Sequence, residues 1–283
     1  MPELQVNGRR IAYRAAGEGP LVVLLHCSSS HSGQWRPYIE AWAPRYRLVA
    51  PDWHGYGRSD PLPDDGRPFY LHDAPILPAL IEAEGASRAH VVGHSLGGAN
   101  GYFAARAYPW MVRSLTMIEP VLYAVLDEAD DPERGDRAEI TQAMGALIGA
   151  GRMEEAAHYF IDFWSGQGAW DRTPPELQDY IRATIGRVLR DWYGGLPEAP
   201  DQARLSDGPG FAMPVELWRG TRSRPSAQAI AGHIASAIPG AALHDVAGAD
   251  HMATVTEPDR FIGPIGEFLD RVTAQEAETT RGD

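Results

Sequence analysis

A chain of 283 residues, 44% of them hydrophobic, is long enough for one large domain or for a core domain carrying an insertion, and too apolar to be disordered throughout. Its formal net charge of -13, with no lysine among the basic residues, argues against nucleic acid or anionic lipid as a partner. The missing lysine also excludes Schiff-base chemistry and any lysine-dependent phosphate loop.

The chain opens on a hairpin pattern, with residues 4–6 and 10–13 alternating around Asn7-Gly8. After the turn Gly17-Glu18-Gly19-Pro20, the run Leu21–Leu25 is short, continuous and branched, as in a strand buried on both faces of a parallel sheet. The spacing then predicts a strand at 48–50, a helix over 73–84, a strand at 90–92, a helix over 96–108 and a strand at 114–118. Such alternation implies βαβ units and a parallel sheet with helices on both faces.

The rhythm breaks after Glu119-Pro120. Helical patterns follow at 137–148, 153–164 and 175–193, with no strand between them. An all-helical insertion in a strand-helix chain reads as a lid over the C-terminal edge of the sheet, where such sheets bind ligands. The expected division is therefore a core of residues 1–122 and 211–283 and a helical lid of residues 123–210. Alternation resumes with a strand at 215–218, a helix over 226–238, the strand Ala242–Val246 and a last helix over 258–272, while the polar residues 274–283 are expected to fray.

One cysteine, Cys27, cannot form an internal disulfide, so the fold does not depend on an oxidising compartment. Residues 1–20 lack the apolar stretch of a secretory signal, and no run approaches the roughly 18 apolar residues of a membrane-spanning helix. A cytoplasmic protein is the expectation.

The sharpest local signal is Gly93-His94-Ser95-Leu96-Gly97, which follows a buried strand and opens a helix, as a Gly-x-Ser-x-Gly nucleophile elbow requires. A tight, strained turn lifts the serine hydroxyl clear of the sheet, and the flanking glycines leave room for close packing. His26 ends the third strand and is followed by Cys27-Ser28-Ser29-Ser30. A backbone N–H from that loop, with Ser28 as the candidate, and the N–H of Leu96 at the helix start would together cradle an oxyanion. Cys27, which no downstream base serves better than it serves Ser95, reads as structural.

These residues, with Trp35, the run Asp52-Trp53-His54-Gly55-Tyr56-Gly57-Arg58-Ser59-Asp60, Gly98, and Gly248-Ala249-Asp250-His251 followed by Glu257-Pro258, resemble the α/β-hydrolase superfamily. The resemblance spans nearly the whole chain in the right order. It implies a mostly parallel eight-stranded sheet flanked by helices, a helical lid inserted after the sixth strand, and a serine hydrolase with Ser95 as nucleophile and His251 as general base. It leaves the substrate open, because esterases, lipases, lactonases, C–C bond hydrolases, perhydrolases and non-enzymatic receptors share the fold.

Two positions depart from the family pattern. His26-Cys27 stands where His-Gly is usual, so the backbone there is less free to turn. After the seventh strand the chain reads Gly220-Thr221-Arg222-Ser223 where the pattern is Gly-x-x-Asp, and Ser223 carries no charge. The base still needs a carboxylate on its far nitrogen. Glu119, at the tip of the sixth strand and therefore beside the seventh in the order the fold implies, is the leading substitute. Asp250 is the other contender, but it adjoins His251, and neighbouring side chains on an extended loop point apart.

His251 lies just past the eighth strand-like run. Its rivals are His244, inside a strand, and His94, directed from the elbow toward the core. His26, His31, His54 and His72 are scattered and lack metal-site spacing, so neither metal nor cofactor is expected. Asp52 and Asp60 read as structural, holding the loop after the fourth strand. Tyr159, Trp164, Trp170, Trp192 and Tyr193 are the candidate pocket aromatics of the lid. The expected reaction is hydrolysis of a small to medium carboxylic ester, lactone or thioester through an acyl-enzyme. The alternatives are a C–C bond hydrolase or perhydrolase on the same residues, and a decayed hydrolase that only binds its ligand.

Overall fold

The computed structural model describes residues 1–193, 205 and 210–282, with side chains throughout these except at Tyr193 and 279–282. Asn7 and Gly8 both take positive φ, at 50° and 76°, and so close a hairpin between β1 (Glu3–Val6) and β2 (Arg9–Ala16). Six further strands follow: β3 (Leu21–Leu25), β4 (Arg47–Pro51), β5 (Ala89–His94), β6 (Val112–Ile118), β7 (Val215–Gly220) and β8 (Ala242–Val246). They form one eight-stranded sheet in the order β1-β2-β4-β3-β5-β6-β7-β8. Pairings from β4 through β8 are parallel, and only the two that involve β2 are antiparallel.

Alternation along the strands feeds two cores. In β3, Val23 and Leu25 face one side and Val22 and Leu24 the other, and both sets are fully buried because helices cover both faces. One side carries α1 (Arg36–Trp42), whose Tyr38 and Trp42 pack with Phe261, Ile265 and Leu269 of the C-terminal helix. The other carries α4 (Leu96–Ala107), the helix that follows β5, together with residues from the helical segment between β6 and β7.

Expectation and structure differ among the helices, with the short α-helices at Ala124–Glu128, Ala169–Arg172 and Ala253–Thr256 also unpredicted. The pattern over 73–84 is two helices, α2 (Tyr70–Asp73) and α3 (Ile76–Ala83), separated at Pro75, which has no N–H to continue the first. Short and proline-bearing, α1 went unpredicted. The final helix, α12 (Asp259–Gly282), does not end near residue 272, because Glu276 pairs with Arg113 at 2.9 Å and with Arg88 at 3.1 Å and ties the polar extension to the body.

Between β6 and β7 the described residues form five helices and no strand. They are α5 (Ala124–Glu128), α6 (Gly135–Gly149), α7 (Met153–Ser165), α8 (Ala169–Arg172) and α9 (Pro175–Tyr193). No helix among the described residues is long and apolar enough to cross a membrane. The strand ends that carry His26, Asp52, Ser95 and Glu119, and the loops that carry Ser223 and His251, all follow the C-terminal ends of their strands at one edge of the sheet. Asp52 holds its loop there by accepting from the amides of Ser32 (2.7 Å) and Arg58 (2.9 Å), and Asp60 accepts from the amide of Arg10 (2.8 Å).

Candidate active site

Ser95 sits between β5 and α4 with φ 55° and ψ -115°, a conformation that a non-glycine residue holds only under surrounding constraint. The glycines around it are obligatory. A Cβ on Gly97 would stand 2.0 Å from the carbonyl oxygen of Leu25, and one on Gly93 would stand 2.3 Å from that of Gly97. The tight bend therefore presses the first turn of α4 against the end of β3 while raising the hydroxyl above the sheet.

Three side chains meet there. His251 Nε2 lies 3.0 Å from Ser95 Oγ, and His251 Nδ1 lies 2.6 Å from Glu119 Oε2. The carboxylate fixes the proton on Nδ1, which leaves Nε2 free to accept from the serine hydroxyl. All three are buried, at 5%, 3% and 2% exposure for Ser95, His251 and Glu119. Low exposure strengthens each hydrogen bond and makes an unpaired charge costly.

Glu119 reaches His251 because its backbone turns left-handed (φ 45°) directly after β6, with its amide bonded to the carbonyl of Trp218 on β7 (2.9 Å). Its second oxygen accepts from the amide of Gly220 at 2.6 Å and from the hydroxyl of Ser223. Ser223 thus supports the carboxylate from the place where the family pattern puts the acid itself. Burial pushes the Glu119 carboxyl up, but the bonds from His251, Ser223 and Gly220 and the imidazole charge outweigh burial and hold it below the usual carboxylate range. Asp250 turns away, accepting from the amide of Met252 at 3.0 Å.

A neutral hydrogen-bonded thread runs beneath these residues. The amide of Cys27 donates to Gln34 Oε1 (3.1 Å), Gln34 Nε2 to His94 Nδ1 (3.1 Å), and His94 Nε2 to the carbonyl of His251 (2.9 Å). Burial first, then the neighbouring His251, keeps His94 uncharged by lowering its pKa well below the ordinary histidine value. His26 directly follows β3 and takes the Trp53 amide on Nε2 (3.1 Å), so its Nδ1 donates to the Cys27 carbonyl (2.7 Å); burial lowers its pKa to about 4. The left-handed residue of this loop is Ser29 (φ 50°), not Cys27, so the position needs no glycine. Burial pushes the Cys27 thiol up to about 12, which leaves it inert as a nucleophile.

Above Ser95 opens a cavity of about 430 Å³ whose wall includes Ser95, His251, Ser28 and Leu96. Among the described residues no hydrogen bond is found from the Ser28 or the Leu96 amide, the latter being a first-turn helical N–H. Of the predicted pocket aromatics, Trp164 and Trp192 line the cavity. Trp164 also stacks on the His251 ring, with centroids 4.0 Å apart and planes at 22°. Two assignments are corrected. Tyr159 bonds Glu139 at 3.0 Å and Trp170 stacks on His158, both outside the cavity wall. On α7 the residues that share a face with Trp164 lie three and four positions from it, so Ile161 and Phe160 line the cavity and Tyr159, five positions away, does not. The Tyr193 side chain lies outside the described residues. Sequence reasoning missed Gln34, Phe160 and Asp191; only Phe160 carried a signal, its i, i+4 spacing from Trp164.

A serine on a strained bend, a histidine and carboxylate in line with it, and an open cavity above are the features of a hydrolytic site, and comparison with known proteins agrees. A family model described as alpha/beta hydrolase fold matches residues 20–258, and the chain belongs to that family. It is a hydrolytic enzyme. An uncharacterized protein of Mycobacterium tuberculosis is 28% identical over 295 residues, covering 98% of this chain and 83% of its own. The pimeloyl-(acyl-carrier protein) methyl ester esterase of Chromobacterium violaceum is 27% identical over 262 residues, 90% of this chain and 96% of that one. The crystal structure of the enol-lactonase from Burkholderia xenovorans superposes with a TM-score of 0.69 at 21% identity, covering 95% of this chain and all of the other, a likeness of fold.

Proposed function

We propose that the chain hydrolyses a small to medium carboxylic ester, lactone or thioester through an acyl-enzyme on Ser95. The observation that carries this reading is His251, hydrogen-bonded on one nitrogen to Ser95 and on the other to Glu119, in the wall of a largely apolar cavity. Ser95 Oγ attacks the carbonyl carbon as His251 Nε2 takes its proton. Glu119 holds the ring's tautomer and stabilises the imidazolium, and the Trp164 face adds a cation–π contribution. The amides of Leu96 and Ser28 receive the developing oxyanion, each such donor contributing about 3 kcal/mol. The imidazolium returns its proton to the leaving alcohol or thiol. Water, deprotonated by His251, then releases the carboxylic acid and regenerates the serine.

The cavity volume lies within the range of about 300–1,000 Å³ of small-molecule sites, which favours a compact acyl group over a polymer. The helices of residues 123–210 serve as the lid, and residues 1–122 and 211–283 as the catalytic core. A relative at 27% identity is named as a methyl ester esterase, which supports a carboxylic ester as the substrate class.

Incubation with a fluorophosphonate followed by intact mass measurement tests the proposal. One adduct is expected on the wild-type protein and none on Ser95→Ala. A wild-type protein that stays unlabelled is instead a ligand-binding protein on a decayed hydrolase fold.

A further inference from the structure

The loop that offers Ser28 is gripped from above by a single helix. Three consecutive serines of the loop each bond one residue of α9. Ser28 Oγ donates to Asp191 Oδ2 (3.0 Å), Ser29 Oγ lies 2.9 Å from Thr184 Oγ1, and the Ser30 carbonyl accepts from Tyr180 Oη (2.8 Å). Residues 180, 184 and 191 are separated by four and seven positions, close to whole helical turns, so one face of α9 reads the loop serine by serine.

Two further features make this grip rigid. Asp191 also accepts from Tyr56 Oη and pairs with Arg187 of the same helix, and Arg187 in turn donates to the His54 carbonyl (2.9 Å) and to Asp73 Oδ2 (3.0 Å) in the core. Ser29, Thr184, Arg187 and Asp191 are all buried. A buried, mutually satisfied ion network of this kind fixes one arrangement more than it adds stability, because desolvation offsets most of the attraction. The loop also lacks the glycine usual after its histidine and takes its left-handed turn two residues later, at the Ser29 that α9 holds.

We infer that α9 is part of the oxyanion machinery, with Asp191 and Thr184 acting as positioning residues that aim the Ser28 amide into the cavity. The site is complete only with α9 seated, which makes this helix more than a cover. The inference rests on the acyl-enzyme reading above.

The test uses the full chain with p-nitrophenyl acetate and butyrate as probes, and phenylboronic acid, whose serine adduct carries a tetrahedral anionic oxygen, as inhibitor. Ser28→Ala, Thr184→Val and Asp191→Asn are each expected to lower kcat by about 10- to 100-fold. KM should stay within about threefold and the boronic acid Ki should rise in step with the loss of kcat. The double variant Ser28→Ala/Asp191→Asn should be no worse than its more damaging parent, since both substitutions cut one contact. Asp191→Asn leaves the buried Arg187 charge short of a partner. If it fails to fold, Ser28→Ala and Thr184→Val, which disturb no charge, decide the matter by the same criteria. Values of kcat within about twofold of wild type in the variants that fold, or losses that multiply in the double variant, overturn the inference and leave the function standing. Wild-type protein without turnover that depends on Ser95 overturns the function and the inference together.

Discussion

The two walls of the cavity are built by different rules. On the sheet side, Ser95 and Glu119 stand directly after strands with positive φ, His251 stands on the loop after β8, and the side-chain polar atoms of all three are paired. On the helical side, Phe160, Trp164 and Trp192 offer apolar surface from α7 and α9. The reacting atoms need angular precision, which a sheet edge imposes through its backbone, whereas an apolar pocket needs only volume and shape, which many helical sequences supply. Substitutions at the three sheet-side residues should therefore alter rate, and those at the apolar side chains Phe160 and Trp192 should alter choice of substrate.

The largest effect is expected at the acid. Glu119→Gln preserves shape but removes the anion that stabilises imidazolium, and should reduce kcat on an activated ester by about 10⁴-fold. Near-normal turnover would show that Glu119 is not the acid. Adding Ser223→Asp should recover at least about tenfold of that loss, since the Ser223 hydroxyl already touches the Glu119 carboxylate. On the other wall, Trp192→Leu should raise the ratio of kcat/KM for p-nitrophenyl hexanoate over acetate by about tenfold, because each added methylene buried contributes about 0.8 kcal/mol. An unchanged ratio would break the division of labour between the walls.

The smallest effect concerns Glu216, buried on β7 away from the cavity wall and accepting from Thr116 Oγ1 at 3.1 Å. Burial raises its pKa from 4.5 to about 7. A carboxyl with a raised folded pKa binds its proton more tightly in the folded state, so its cost appears as pH rises above 4.5 and is complete once pH passes about 7. Thermal unfolding of Glu216→Gln should therefore show a flatter Tm profile between these pH values, with turnover at pH 8 unchanged. Identical profiles would remove Glu216 from the account.

Legibility in the sequence follows the same division. The strands Leu21–Leu25 and Ala242–Val246 are readable to the residue, because each run is too short for a helix and follows a glycine-containing turn. The elbow was readable because its glycines answer a steric demand local to five residues. Glu119 was reachable from its position at a strand tip once Ser223 had failed as an acid, although its left-handed backbone and the bonds from Gly220 and Ser223 were not. Gln34 left no trace, since a neutral amide in a loop has no pattern until three separate segments fold around it. Among the lid aromatics, helical spacing alone could not choose which face of α7 meets the cavity, so Tyr159 was taken together with Trp164.

The thread from Cys27 through Gln34 and His94 to the His251 carbonyl joins the loop after β3, the bend at Ser95 and the loop after β8 without using a charge. An amide has no proton to lose near neutrality, and burial lowers the His94 pKa well below the ordinary histidine value. The bonds that align the three loops therefore carry no group that must be charged. The proton traffic of turnover is left to the imidazole above them, so the frame stays still while its one moving proton comes and goes.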